Sequence, residues 1–68
     1  MRVRDNELYD FIADFGRRNR QTTEPRLLAV LKSRFYGRED ARQLLYRLEH
    51  LGLIYTTEET IELRRLRR

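Results

Sequence analysis

The chain contains no cysteine and a single histidine, His50. Disulfide staples, thiol nucleophiles and thiolate zinc sites are therefore excluded, and the other common metal ligand is nearly absent, so neither a cofactor nor a structural metal is expected. No apolar run approaches the roughly 18 residues that cross a bilayer. The start, Met1-Arg2-Val3-Arg4-Asp5, lacks the apolar stretch of a signal peptide. A cytoplasmic protein without membrane insertion is the expectation. Sixty-eight residues leave too little chain for a second core or for a deep cleft between subdomains, so residues 1–68 are read as one domain. Nucleotide loops, paired catalytic carboxylates and nucleophile motifs are missing, which argues against an enzyme or a small-molecule substrate and for a binding module. Lysine is scarce as well: of 15 basic residues only Lys32 is not arginine.

What the chain has in quantity is charge. Charged side chains make up 38% of residues and apolar ones 40%, with a net charge of only +4, so both signs interleave along a chain apolar enough to fold. An arginine-rich basic balance is the footprint of a nucleic-acid-binding domain, and stabilising ion-pair networks draw on the same composition. The balance is uneven, with −3 over residues 53–63 and +4 over 64–68.

Leu8, Phe11, Ile12 and Phe15 recur at i, i+3, i+4 and i+7, with Asp5 placed to cap and Glu7 and Asp10 near the positive end of the dipole. This predicts a helix over 5–19. A polar run from Arg17 to Gln21 follows without an apolar period. Thr23 can cap a second helix that tolerates Pro25 in its first turn, and Leu27, Leu28, Leu31 and Phe35 set its stripe over about 24–35. Gly37 breaks that pattern in a short turn. Ala41, Leu44, Leu45, Leu48 and Leu51 place a third helix over about 38–51, with Gly52 at a left-handed cap. Beyond it, two stretches rich in β-branched and aromatic residues flank Glu58-Glu59 and predict a hairpin over about 53–65, with Ile61 and Leu63 inward. No internal repeat or low-complexity segment is present.

Helix, helix, turn, helix and hairpin is the element order of the winged helix-turn-helix superfamily. The segment Tyr46-Arg47-Leu48-Glu49-His50-Leu51-Gly52-Leu53-Ile54-Tyr55 resembles the end of its recognition helix running into the first wing strand. The resemblance implies an α+β, mostly α fold of three helices and a C-terminal two-stranded wing. It also implies DNA binding with helix 38–51 in the major groove, by dimers that read half-sites about one turn apart. Two departures stand out. Phe35-Tyr36-Gly37 takes the place of the usual capped turn, Gly37 being a weaker cap than serine, and Glu58, Glu59 and Glu62 give the wing an acidic tip that repels phosphate.

Rotating about 100° per residue from the Leu44, Leu48 and Leu51 stripe puts Glu39, Arg42, Gln43, Tyr46 and His50 outward. Arg42 suits guanine, Gln43 adenine, and Tyr46 a phosphate or a thymine methyl. His50 reads as an exposed helix-end residue on the same face. Arg26, Arg34, Arg38 and Arg47 are expected on phosphates around the helix-turn-helix, with Arg64 and Arg65 of the tail, or the Arg17, Arg18 and Arg20 run, as further contacts. The tyrosines are expected at core margins. Val3, Tyr55 and Leu66, with Tyr9, read as spare apolar groups for a homodimer. The function expected is that of a sequence-specific or general double-stranded DNA-binding protein, a small transcriptional regulator. The alternative is a protein-interaction module of a replication or membrane-remodelling assembly that uses the acidic wing.

Overall fold

The computed structural model describes residues 1–66, so Arg67 and Arg68 of the tail lie outside the described residues. Helix α1, Asp5–Gly16, buries Leu8, Phe11 and Ile12 of the stripe read from the sequence, with Ala13 buried beside them, while Phe15 is only partly buried. Its start differs from expectation. The Glu7 carboxylate, not Asp5, receives a backbone N–H ahead of the helix, that of Arg4 at 2.9 Å. The helix also stops short of residue 19. The Asn19 backbone N–H and side-chain amide both donate to the Phe15 carbonyl, at 3.1 and 3.0 Å, which satisfies an end carbonyl and turns the chain away.

The polar run then leads into a strand that sequence reading did not identify, β1, Gln21–Thr22. Helix α2, Glu24–Arg34, follows directly, with the Thr23 hydroxyl accepting from the Arg26 N–H and a proline in the first turn, as expected. Leu27 and Leu31 are its buried residues.

The connection to the next helix is longer than expected. Helix α3, Ala41–His50, begins three residues after Arg38. Arg38 and Glu39 therefore belong to the turn, in which Gly37 adopts φ +75°. The residue preceding α3 is Asp40, without a side-chain cap, so Gly37 is a turn residue and not the cap. The far end of α3 matches the reading closely. Gly52, at φ +73°, donates to the Glu49 carbonyl at 3.0 Å, and the Leu53 N–H reaches the Leu48 carbonyl at 2.9 Å. This is the Schellman pattern, completed by contact-ready burial of both Leu48 and Leu53.

Strands β2, Ile54–Thr56, and β3, Ile61–Leu63, form the expected hairpin, paired Ile54 to Leu63 and Thr56 to Ile61. Its turn is closed by Thr57, whose hydroxyl donates to the Thr60 carbonyl and accepts the Thr60 N–H. β1 adds to the other side of β3 through Thr22 and Ile61, giving an antiparallel sheet of order β1-β3-β2. The tail continues the ladder for one bond, Arg64 N–H to Leu53 carbonyl at 2.9 Å.

Three helices against a small antiparallel sheet that ends in a C-terminal hairpin make a helix-rich α+β, winged-helix-like arrangement. The core joins one face of each helix to the inner side of the sheet, with Leu8, Ile12, Leu27, Leu31, Leu44, Leu48 and Leu53 fully enclosed. Each such side chain contributes about 1.5–3 kcal/mol by leaving water. Val3 is equally enclosed, and Leu66 packs half-buried against the core, so neither is a spare surface group. Leu51 sits at the core margin rather than within it.

Candidate nucleic-acid interface

The arginines of the helix-turn-helix fall into two groups, and packing separates them. Arg38 and Arg47 belong to a clamp that fastens the N-terminal segment to the α2–α3 turn. Arg38 grips both carboxylate oxygens of Glu7, at 2.7 and 3.0 Å, and Arg47 bridges Asp5 at 2.6 Å and Glu39 at 2.9 Å. The side chains of Arg47 and Glu39 are each only 17% exposed. Glu39 also accepts the Val3 N–H at 2.9 Å, while the N-terminal ammonium reaches the Arg38 carbonyl. Val3 is drawn into the core by this strap. Glu39, expected to face outward on α3, instead lies in the turn and points to the clamp.

Charge in the clamp is mutually stabilised. The Arg38 guanidinium, helped by the Arg4 N–H and only partly opposed by burial, holds Glu7 down at about 2. Glu7 in turn raises Arg38. Asp5 raises Arg47, against the desolvation that burial imposes, with Glu39 adding to the effect. Arg34, at the end of α2, lies over the Phe11 and Phe35 rings at 5.7 and 5.9 Å and contacts Asp14 at 3.3 Å. Its cation–π and ion-pair contacts bind α2 to α1.

The exposed side of α3 presents a different set. Leu44 and Leu48 anchor the helix, leaving Arg42, Gln43, Tyr46 and His50 exposed as the helical period predicts. Tyr46 is 55% exposed and therefore not a core-margin tyrosine; Tyr36 and Tyr55 are more exposed still. The Arg42 side chain, 57% exposed, contacts Glu24 at the start of α2 through one nitrogen, Nη1, at 3.1 Å. Among the described residues the Nη2 and Nε edge of the guanidinium makes no hydrogen bond, so it is open to an outside acceptor. Arg26 shares the first turn of α2 with Glu24 and makes no ion pair among the described residues. Glu24 was not singled out from the sequence, because its link to Arg42 spans two helices.

The wing is acidic where it is most exposed, with Glu58, Glu59 and Glu62 all at the surface. Thr56 of β2 donates to Glu49 of α3 at 3.1 Å, which ties wing and helix together. Arg64 and Arg65 lie away from the wing tip, at the far end of β3, where they line a cleft with Arg17 and Arg20. Among the described residues no helix is long and apolar enough to cross a membrane. Comparison with protein-family models, with curated proteins and with solved structures finds no match.

Proposed function

We propose that the protein binds double-stranded DNA, as a small transcriptional regulator of the winged-helix type, with α3 in the major groove. The observation that carries this reading is the solvent-facing row Arg42, Gln43, Tyr46 and His50 on a helix whose opposite side is locked into the core. A rigid helix with donors and acceptors at this spacing suits readout of base edges. Arg42 has a free donor edge for guanine, Gln43 can pair with adenine, and Arg26 is placed beside them for a phosphate. Arg38, Arg47 and Arg34 contribute by holding the scaffold, since each already satisfies a carboxylate. A homodimer reading two half-sites fits the same scheme.

The test is titration of random and genomic duplexes across a salt series. Binding that weakens with salt and favours particular sequences supports the reading, and undetectable binding at low salt overturns it. One observation favours a second reading, a protein-interaction module: the acidic wing tip beside Tyr55, which is 61% exposed. Its signature is retention of a protein partner by the wild type and not by a Glu58→Lys, Glu59→Lys variant.

A further inference from the structure

Most of the cations near α3 are compensated, yet one part of the surface gathers four arginines of which only Arg17 has an ion pair among the described residues. Arg17, Arg20, Arg64 and Arg65 line a single cleft together with Ile12, Ala13 and Leu66. The fold brings together two runs that lie far apart in sequence, one after α1 and one after β3. The Arg20 carbonyl accepts the Leu63 N–H at 3.1 Å and the Arg64 N–H donates to Leu53 at 2.9 Å, so both backbones are fixed by neighbouring sheet bonds. Arg17 meets Asp14 at 3.5 Å, but Arg20, Arg64 and Arg65 make no ion pair among the described residues. By contrast, Arg38, Arg42 and Arg47 each have a carboxylate within 3.1 Å.

We infer that this cleft is a second phosphate-binding site, which takes the phosphodiester backbone of a nucleic acid independently of base contacts by α3. Like charges held on fixed backbones repel one another until an anion enters between them. Guanidinium groups meet phosphate oxygens with paired hydrogen bonds, and the negative end of α1 offers only about half a charge in opposition. Sequence-independent attraction is then supplied here, while the compensated arginine of α3 supplies preference. The inference deepens the DNA-binding reading and rests on it for the identity of the ligand, while the anion site itself stands on its own residues.

The test compares the wild type with an Arg20→Ala, Arg65→Ala variant and with Arg42→Ala, each checked for an unchanged melting curve. Two ligands are used: a duplex enriched from a random pool alongside a scrambled duplex, and inorganic tripolyphosphate alone. The Arg20→Ala, Arg65→Ala variant is expected to weaken both duplexes alike and to flatten the dependence of log K on log salt by about 1.8, or 0.9 per lost phosphate contact. Its preference for the enriched duplex should stay intact. Tripolyphosphate should shift Arg20 and Arg64 signals and compete with duplex. An unchanged salt slope with unchanged tripolyphosphate binding overturns the cleft. Tripolyphosphate binding in the cleft without any duplex binding supports the anion site and overturns its nucleic-acid source together with the α3 reading. Duplex binding that loses preference in Arg42→Ala but ignores the cleft variant keeps the α3 reading and overturns this one.

Discussion

At the residue scale, chemically identical arginines carry different work because of what surrounds them. Arg47 is largely enclosed between Asp5 and Glu39, so Arg47→Ala strips the mostly buried Glu39 carboxylate of its ion pair and leaves it, among the described residues, only the Val3 N–H. A loss of about 1–3 kcal/mol in unfolding free energy is expected by urea denaturation. Arg42→Ala removes a solvent-screened pair and should stay within about 0.5 kcal/mol on the same measurement. Equal losses for the two would show that the clamp and the exposed face are not distinct. Glu7 predicts a pH dependence. Its folded value of about 2 lies below the ordinary 4.5, so its contribution is present above the ordinary value and disappears as pH falls through the folded one. The wild type should therefore lose stability faster than Glu7→Gln between about pH 4.5 and pH 2, and parallel urea midpoints over that window would contradict the clamp. Sequence reading put Arg38 and Arg47 on phosphates without seeing their acids, because periodicity cannot show partners that arrive from α1 or from the turn.

At the element scale, features governed by neighbours in sequence were legible and features governed by distant partners were not. The Thr23 cap, Pro25 in the first turn of α2, the left-handed Gly52 and the inward Ile61 and Leu63 all follow local rules, and the structure has each of them. β1 follows no local rule. Gln21 and Thr22 lie in a polar run and become a strand only because β3 offers its free edge. The start of α3 was misplaced for a related reason: Arg38 and Glu39 have helical propensity, but the N-terminal strap recruits both into the turn. β1 also carries a defect. Among the described residues the buried Thr22 hydroxyl has no hydrogen-bond partner. Thr22→Val keeps the shape and removes the stranded polar group, so a gain of about 0.5–1.5 kcal/mol is expected in thermal or urea unfolding. A loss of similar size would mean that the hydroxyl has a partner in solution. Among the candidate site residues, the exposed row on α3 was readable from its period, whereas the cleft of Arg17, Arg20, Arg64 and Arg65 depends on pairing between the segments around β1 and β3, which lie far apart in sequence.

At the scale of the whole molecule, a small core and an exposed face on α3 suit assembly into pairs. Tyr9, Tyr36 and Tyr55 offer exposed apolar surface, while Val3 does not. Light scattering over a concentration series should show the mass of a dimer at the upper end, and a strict monomer throughout would remove the half-site geometry. The central claim is that α3 meets the duplex with its outward row. Amide and side-chain chemical-shift mapping on addition of a duplex tests it most directly. The largest changes are predicted at Arg42, Gln43, Tyr46 and His50, with Arg26 and the arginines of the cleft, and little change at Glu58 and Glu59. Changes confined to the wing, or no change on α3 at saturating duplex, would contradict it.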